Sequence, residues 1–306
     1  MSRWLVLVLV LGCAVDHDTS DVGIAADAGP RPPPMSVTVV IGTFVLSADP
    51  AGEAFGFDLD GADGRPASAP AGGCQDRPDV VSPITGAHGV DNSFATLVPT
   101  LDGLVMGDGV DGAIQAEIAS GALLVLIRIA DIDDFAEDAS VMVHVALANA
   151  QVPMPSATCR AHADRASCLA DAASACAWSA STSACSGIAA GQTFGEAMDL
   201  GTVVGAIHGG RFQAQVPMLP LLLQSMGHMI PLVLHDARLG GVVAPSGITQ
   251  GQIGGVLVLA ELGPGGEPGP GSFAGAAADM QPEANPTSCD AISFGTSFAA
   301  VVANTR

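Results

Sequence analysis

The sequence predicts a mainly β fold: an antiparallel β-sandwich or jelly-roll-like domain with a small disulfide-rich insertion. Two observations predict this fold. Runs rich in valine, isoleucine, threonine and phenylalanine recur along the chain, and glycine, proline and aspartate, the usual turn residues, separate them. No long helical patterns alternate with these runs, so a parallel α/β fold is not expected.

The chain begins with an apolar run over residues 4–12 that ends directly before Cys13. The run follows a single positive charge, Arg3, and is too short to span a bilayer, which takes about 20 residues. This arrangement predicts a lipoprotein signal peptide over residues 1–12, whose removal leaves Cys13 as the lipidated first residue. An ordinary secretory signal, which would leave Cys13 as an odd thiol, is the alternative.

Residues 13–36 contain several aspartates and the run Pro30-Arg31-Pro32-Pro33-Pro34, without an apolar period. Such a segment buries too little apolar surface to offset the entropy of ordering, so we predict a disordered acidic and proline-rich tether. The lipid and the tether together predict a membrane-anchored protein of the cell envelope. We expect an outer-membrane lipoprotein that faces the periplasm or the cell surface.

One β domain is predicted from residues 37–157 and 187–306. Two short helices are expected in it, at residues 92–98 and 111–120, because apolar residues recur there at helical spacing. The strands are expected at residues 36–47, 54–59, 123–129, 141–148, 212–223, 229–239, 254–262 and 291–302.

A segment with four cysteines, residues 158–186, interrupts this domain, and we call it the knob. It is too small for a core of its own, so disulfides must hold it together, with Trp178 covering them. Zinc is the competing interpretation of four cysteines. The cysteines are separated by eight, seven and eight residues, unlike the close pairs typical of a zinc site.

The knob's disulfide pairing follows from a predicted helix that Ser167 would cap. Eight residues of helix would separate Cys168 from Cys176 by about 12 Å, beyond the roughly 7 Å that a disulfide spans between Cα atoms. We therefore favour Cys159 with Cys176 and Cys168 with Cys185 among the three possible connectivities.

The remaining thiols predict a third disulfide. If Cys13 is lipidated and the knob closes on itself, Cys74 and Cys289 are left, and we expect them to pair because the cell envelope is oxidising. That bond would bring the loop of residues 58–92 against the strand at residues 291–302. Two buried free thiols are the alternative.

Three aspartates before a glycine turn predict a calcium loop. Asp58, Asp60 and Asp63 alternate with other residues, and Asp91 and Asn92 follow downstream. Carboxylate oxygens in this pattern resemble the first half of a calcium loop, where several oxygens surround one hard cation. Aspartate-rich turns also end strands in acidic secreted proteins, which is the alternative. No other cofactor is predicted.

The composition excludes several functions. The formal net charge is −21 at pH 7, so the chain repels phosphate backbones, and nucleic acid is not expected as a partner. The chain contains no lysine, which rules out Schiff-base chemistry and a phosphate loop with its lysine.

Possible catalytic motifs are weak. Gly295-Thr296-Ser297 resembles the nucleophile segment of subtilisin-like proteases, but Val301 stands where those proteases have proline, and the run is strand-like. The histidines are scattered without ligand spacing. We assign no catalytic residue and favour a noncatalytic protein over an enzyme.

Three segments carry a resemblance to a protein family: residues 57–61, residues 89–92 and residues 289–295. Together with the Gly73-Cys74 pair, this pattern resembles uncharacterised secreted proteins and lipoproteins of myxobacteria and their relatives. The resemblance implies a cell-envelope address and a β domain. It implies no catalytic residue.

The sequence supports two functional hypotheses. The first is a noncatalytic, lipid-anchored envelope protein that binds a protein or glycan partner or serves as a structural element, anchored to the membrane by its lipid. The alternative is a secreted hydrolase that acts through scattered carboxylates such as Asp58, Asp60 and Asp91, or a calcium-stabilised glycan-binding module. Two carboxylates at glycosidase separation would favour the hydrolase, and a cage around one ion would favour calcium.

Overall fold

Eight long antiparallel strands form the centre of the structure. The structure is a computed structural model, and it describes residues 33–46, 53–61, 80–103, 107–225, 228–261, 278–280 and 289–306. The strands of the described chain are β1 Met35–Val45, β2 Val125–Ile132, β3 Glu137–Ala148, β4 Ala177–Ser179, β5 Ala184–Ser186, β6 Gln192–Phe194, β7 Glu196–His208, β8 Arg211–Ser225, β9 His228–Ala244, β10 Gly247–Val258 and β11 Ala291–Thr305.

The main sheet closes on itself. Its order is β1-β2-β3-β7-β8-β9-β10-β11, each neighbour is antiparallel, and β11 pairs back with β1. Val39 shows the closure directly, since it pairs with Val302 of β11 and with Ile127 of β2. The mainly β, antiparallel prediction is confirmed, but the sandwich or jelly roll is wrong: the strands form an eight-stranded barrel.

The core is aliphatic, with a few large rings. Its fully buried side chains include Phe212 and Phe294 among many valines, isoleucines and leucines from all eight barrel strands. Burying one such side chain stabilises the fold by about 1.5–3 kcal/mol. Residues 39–44 of β1 are all buried, so both faces of this strand are covered.

The two ends of the barrel differ. In an antiparallel barrel with this strand order, successive connections alternate between the ends. Residues 133–136, 209–210 and 245–246 are tight turns at one end, which we call the hairpin end. The three long connections, residues 46–124, 149–195 and 259–290, begin and end at the other, which we call the loop end.

Short helices belong to the long connections. They are α1 Val98–Asp102, α2 Gly109–Ser120, α3 Ala157–Ala161 and α4 Arg165–Ala170, with 3₁₀ turns at Ser93–Thr96, Ala172–Ser174 and Leu259–Glu261. No helix among the described residues is long and apolar enough to cross a bilayer.

The helix predicted at residues 111–120 is present as α2, which buries Val110, Ile114 and Ile118 against the barrel. The chain leaves α2 through Gly121 at φ 83°, where a Cβ would lie 2.1 Å from the carbonyl oxygen of Gln151. Only glycine tolerates both the backbone angle and this contact.

Two sequence-based assignments differ from the structure. The helix predicted at residues 92–98 is a 3₁₀ turn that Asn92 caps, followed by α1. Residues 54–59, predicted as a strand, form only one isolated bridge, at Phe57, and Gly56 at φ 148° interrupts their extended course. The sequence analysis does not predict the long strand β7, because Gly201, Gly205 and the acidic residues of this strand interrupt the run of β-forming residues.

The knob lies between β3 and β7 and consists of α3, α4 and the hairpin β4-β5. Cys159 bonds to Cys176 and Cys168 to Cys185, with Cα separations of 5.4 and 5.8 Å. This is the connectivity favoured from the sequence. The helix argument behind it needs correction, because α4 ends at Ala170 and its cap is Asp164, not Ser167. The four sulfurs are buried with Trp178 packed against them.

Candidate functional site

The first of the long connections folds back onto the start of β11. The Nδ2 group of Asn92 donates to the carbonyl oxygens of Phe55, at 2.7 Å, and Gly295, at 3.1 Å. Its Oδ1 accepts from the Ala95 N–H at 3.1 Å, so one buried amide joins three segments. The contact expected between the 58–92 loop and the terminal strand is therefore present.

A half-buried aspartate, Asp279, makes a second tie beside Asn92. Ser93 Oγ and Ser293 Oγ donate to Asp279 Oδ2 at 2.6 and 2.5 Å, and the Ser293 N–H donates to Oδ1 at 2.8 Å. Ser293 is fully buried, and its Oγ also accepts from the Ser93 N–H at 2.8 Å. Because the carboxylate is surrounded by donors, this network holds three separate segments in one arrangement.

Next to this junction, three carboxylates converge. One oxygen from each of Asp58, Asp60 and Asp91 lies within 4.8 Å of the other two. Asp91 is only 8% exposed, and its Oδ2 accepts from the N–H groups of Leu59, at 2.6 Å, and Asp60, at 3.2 Å. Two of the three predicted calcium ligands thus come together, joined by Asp91. Asp63, the third, lies outside the described residues.

The three oxygens lie close enough together to share one hard cation. Oxygen ligands stand about 2.3–2.6 Å from Ca²⁺, so two ligands of one ion are at most about 5 Å apart, and the oxygens here lie within 4.8 Å of one another. Glycosidase carboxyl pairs are about 5–5.5 Å or 6.5–9.5 Å apart. The tight cluster therefore suits a cation better than the inverting acid–base pair of the hydrolase hypothesis.

Arg238 contacts the same loop. Its guanidinium donates to the carbonyl oxygen of Asp58 and, at 3.4 Å, to that of Leu59. This contact holds the loop that carries Asp58 and Asp60 against β9. Calcium binding at Asp58, Asp60 and Asp91 stays a hypothesis.

Four histidines each face a carboxylate. Each contact joins two neighbouring segments of the described chain. His162 and Asp171 also lie within 4.8 Å of the Cys176 sulfur, but that sulfur is bonded to Cys159 and is not a thiolate ligand. The pairs are His144–Glu196 at 3.4 Å, His162–Asp171 at 3.2 Å, His208–Glu137 at 3.3 Å and His235–Glu261 at 2.9 Å.

His144 also meets a hydroxyl, since its Nδ1 lies 2.9 Å from Thr202 Oγ1. With Glu196 on the other ring nitrogen, the three groups line up as hydroxyl, imidazole and carboxylate. His144 and Thr202 are direct cross-strand partners of β3 and β7. The contact is thus the one that any such pair makes on a sheet face.

Ser297 lies within β11, paired with Val45 on one side and Gln252 on the other. A subtilisin-like nucleophile begins a buried helix, so the strand position removes the structural context which that motif requires. The strand-like interpretation of this run is confirmed.

Three predicted site residues, Cys13, Asp63 and Cys74, lie outside the described residues. Cys289 is disulfide-bonded. Because Cys74 lies outside the described residues, the expected pairing of Cys289 with Cys74 stays a prediction. No family model matches the chain, and no curated protein or solved structure matches it.

Proposed function

We propose that this protein is a noncatalytic, lipid-anchored protein of the cell envelope that uses the loop end of its barrel to bind a protein or glycan partner. The observation that supports the proposal is the difference between the two ends. Tight turns close the hairpin end, and the long connections leave from the loop end. Binding residues are concentrated on loops that a rigid scaffold positions.

The loop end is built as a fixed surface. Asn92 and Asp279 tie the first and last long connections to β11 through buried and partly buried hydrogen bonds. Phe44, Ile114 of α2 and Leu221 belong to the buried core and line one small apolar pocket in it. Apolar side chains thus occupy the barrel interior, which favours the outer surface of the loops as the binding surface.

The anchor is the first test of the proposal. Cys13→Ser removes the thiol that would be acylated, so we expect the variant to leave the membrane fraction while the wild type stays in it. Metabolic labelling with a radioactive fatty acid should mark the wild type alone. Wild-type protein that is soluble and unlabelled would contradict the anchor and with it the resemblance to envelope lipoproteins.

The second test compares the two ends. A photo-crosslinking residue at exposed Thr85, in the first long connection, should form adducts in intact cells. The same residue at exposed Asp134, in a hairpin turn, is the matched control and should form few. Equal adducts from both positions would show that the loop end is not the binding surface.

A calcium-stabilised glycan-binding module is the second candidate, and the convergence of Asp58, Asp60 and Asp91 favours it. If the cluster binds calcium, the melting temperature should rise with calcium concentration as mass action requires. Asp60→Asn should abolish this rise, and Asp134→Asn, in a hairpin turn, should keep it. Melting curves that superimpose with calcium and with chelator would leave the three aspartates as turn residues.

A further inference from the structure

We propose that the knob presents an arginine face, formed by Arg160, Arg165 and Leu169, which binds an acidic segment of a partner protein. This inference rests on the proposed binding function and names its surface and the chemistry of its partner. All three side chains are exposed, and Leu169 is 51% exposed. Arg165 and Leu169 are four residues apart in α4, so they share one helix face.

The charge of the knob sets it apart from the rest of the chain. The whole chain has 10 basic against 31 acidic residues, but the knob has two arginines against two aspartates. Both aspartates are engaged within the knob. Asp164 caps α4 by accepting from the Ser167 N–H at 2.9 Å, and Asp171 contacts His162 at 3.2 Å.

The two arginines are available to a partner. Within the described part of the chain, the guanidinium groups of Arg160 and Arg165 make no hydrogen bond or ion pair. Arg211 and Arg238, by contrast, are bound to Gln250 and to the Asp58 loop. A free guanidinium on a folded surface suits bidentate binding of a carboxylate.

Exposed apolar residues are also frequent in this part of the sequence. Among the described residues, seven large apolar side chains are exposed, and Val152, Met154 and Leu169 belong to the knob or directly precede it. Arginine and methionine with few acidic residues is the composition typical of the centre of a protein–protein interface.

The knob is also held rigidly on the barrel. Two buried disulfides staple it, Ala175 lies against Gly42 of β1, and the Ser181 N–H donates to Asp108 Oδ1 at 2.6 Å. A rigid surface loses little entropy on binding.

The charge of the remaining chain selects the kind of partner. A long anionic polymer would run past the knob onto a surface that is strongly negative, and repulsion acts over about 8 Å at physiological salt. A short acidic segment that also carries apolar side chains contacts the arginines and Leu169 alone. We therefore assign an acidic protein segment and not an anionic polysaccharide.

The test measures binding of a fluorescent peptide of alternating glutamate and leucine to the purified full chain in detergent, by fluorescence anisotropy. We expect Arg160→Gln with Arg165→Gln to weaken binding at least tenfold and Leu169→Ser to weaken it several-fold. Arg128→Gln, an exposed arginine on β2, is the matched control and should leave the dissociation constant within twofold.

Three results would overturn the proposal: no peptide binding by the wild type, equal weakening by Arg128→Gln, or tighter binding of polygalacturonate than of the peptide. Lipidation is measured on the same preparations. Protein that binds the peptide without a lipid would disprove the anchor and leave the arginine face intact. Lipidated, membrane-bound protein that ignores the peptide would disprove the arginine face alone.

Discussion

At the scale of single residues, buried polar side chains connect segments that are far apart in the chain. Asn92, Ser293 and Gln252 are each nearly or fully buried on or beside the barrel, and each contacts a segment far away in the chain. A buried polar group that loses its partner costs about 1–3 kcal/mol, so such residues decide which segments meet.

Asn92→Ala should lower the free energy of unfolding by about 2–4 kcal/mol, because it leaves the carbonyl oxygens of Phe55 and Gly295 without their donor. Asn304→Ala is the matched control. Its amide donates to the Gly191 carbonyl on an exposed surface, so we expect a loss below about 1 kcal/mol. Urea denaturation measures both, and equal losses would refute the role assigned to Asn92.

Glu137 is a residue-scale source of pH dependence. The Gly209 N–H, followed by the His208 side chain, stabilises its carboxylate and holds the pKa of Glu137 below its ordinary value. Because the pKa of Glu137 is lower in the folded state, its carboxylate stabilises that state fully at pH values above the ordinary pKa of glutamate. This stabilisation is lost as the pH falls through the lowered pKa.

Glu137→Gln should therefore lower the melting temperature near neutral pH, and the difference from wild type should shrink as the pH falls below about 4. Thermal melts from pH 7 to pH 3 measure the difference. A difference that stays constant over this range would mean that the ionised carboxylate contributes nothing.

At the scale of elements, the junction of β7 and β8 is the shortest described pairing of the eight-stranded barrel. In the described pairings they meet only from Gly205 to His208, whereas β8 pairs with β9 along its whole length. Residues 196–199 of β7 are exposed, and the Asp199 carboxylate accepts from the Gly201 N–H at 2.7 Å. This side-chain contact occupies a donor that an edge strand would otherwise offer to another chain.

Pro217 protects the facing edge of β8, because its nitrogen is on the side of β7 and proline has no N–H to donate. Replacing Pro217 with valine should promote association between copies of the protein by edge pairing. Sedimentation velocity should show larger species than for the wild type. Pro99→Ala, at the start of α1, is the control and should sediment as the wild type does. Unchanged sedimentation of the Pro217→Val variant would mean that this proline has no protective role.

At the scale of the whole molecule, the net negative charge destabilises the folded state. A formal charge of −21 on this chain makes the folded state repel itself, and added salt screens that repulsion. We therefore expect the melting temperature to rise between 10 mM and 0.5 M sodium chloride. A melting temperature that falls with salt would show that attractive ion pairs outweigh the repulsion.

The sequence by itself determined the β class, most strand positions, α2 and the knob's disulfide pairing, because these depend on local apolar periodicity, turn residues and cysteine spacing. Asp58 and Asp60 were likewise marked by their pattern before a glycine turn. Only the tertiary structure decided that the sheet closes through Val39 into a barrel, because either a sandwich or a barrel satisfies the same alternation of residues. It also decided that Asp91 joins the two acids, since contacts between segments far apart in the chain depend on how the whole chain packs.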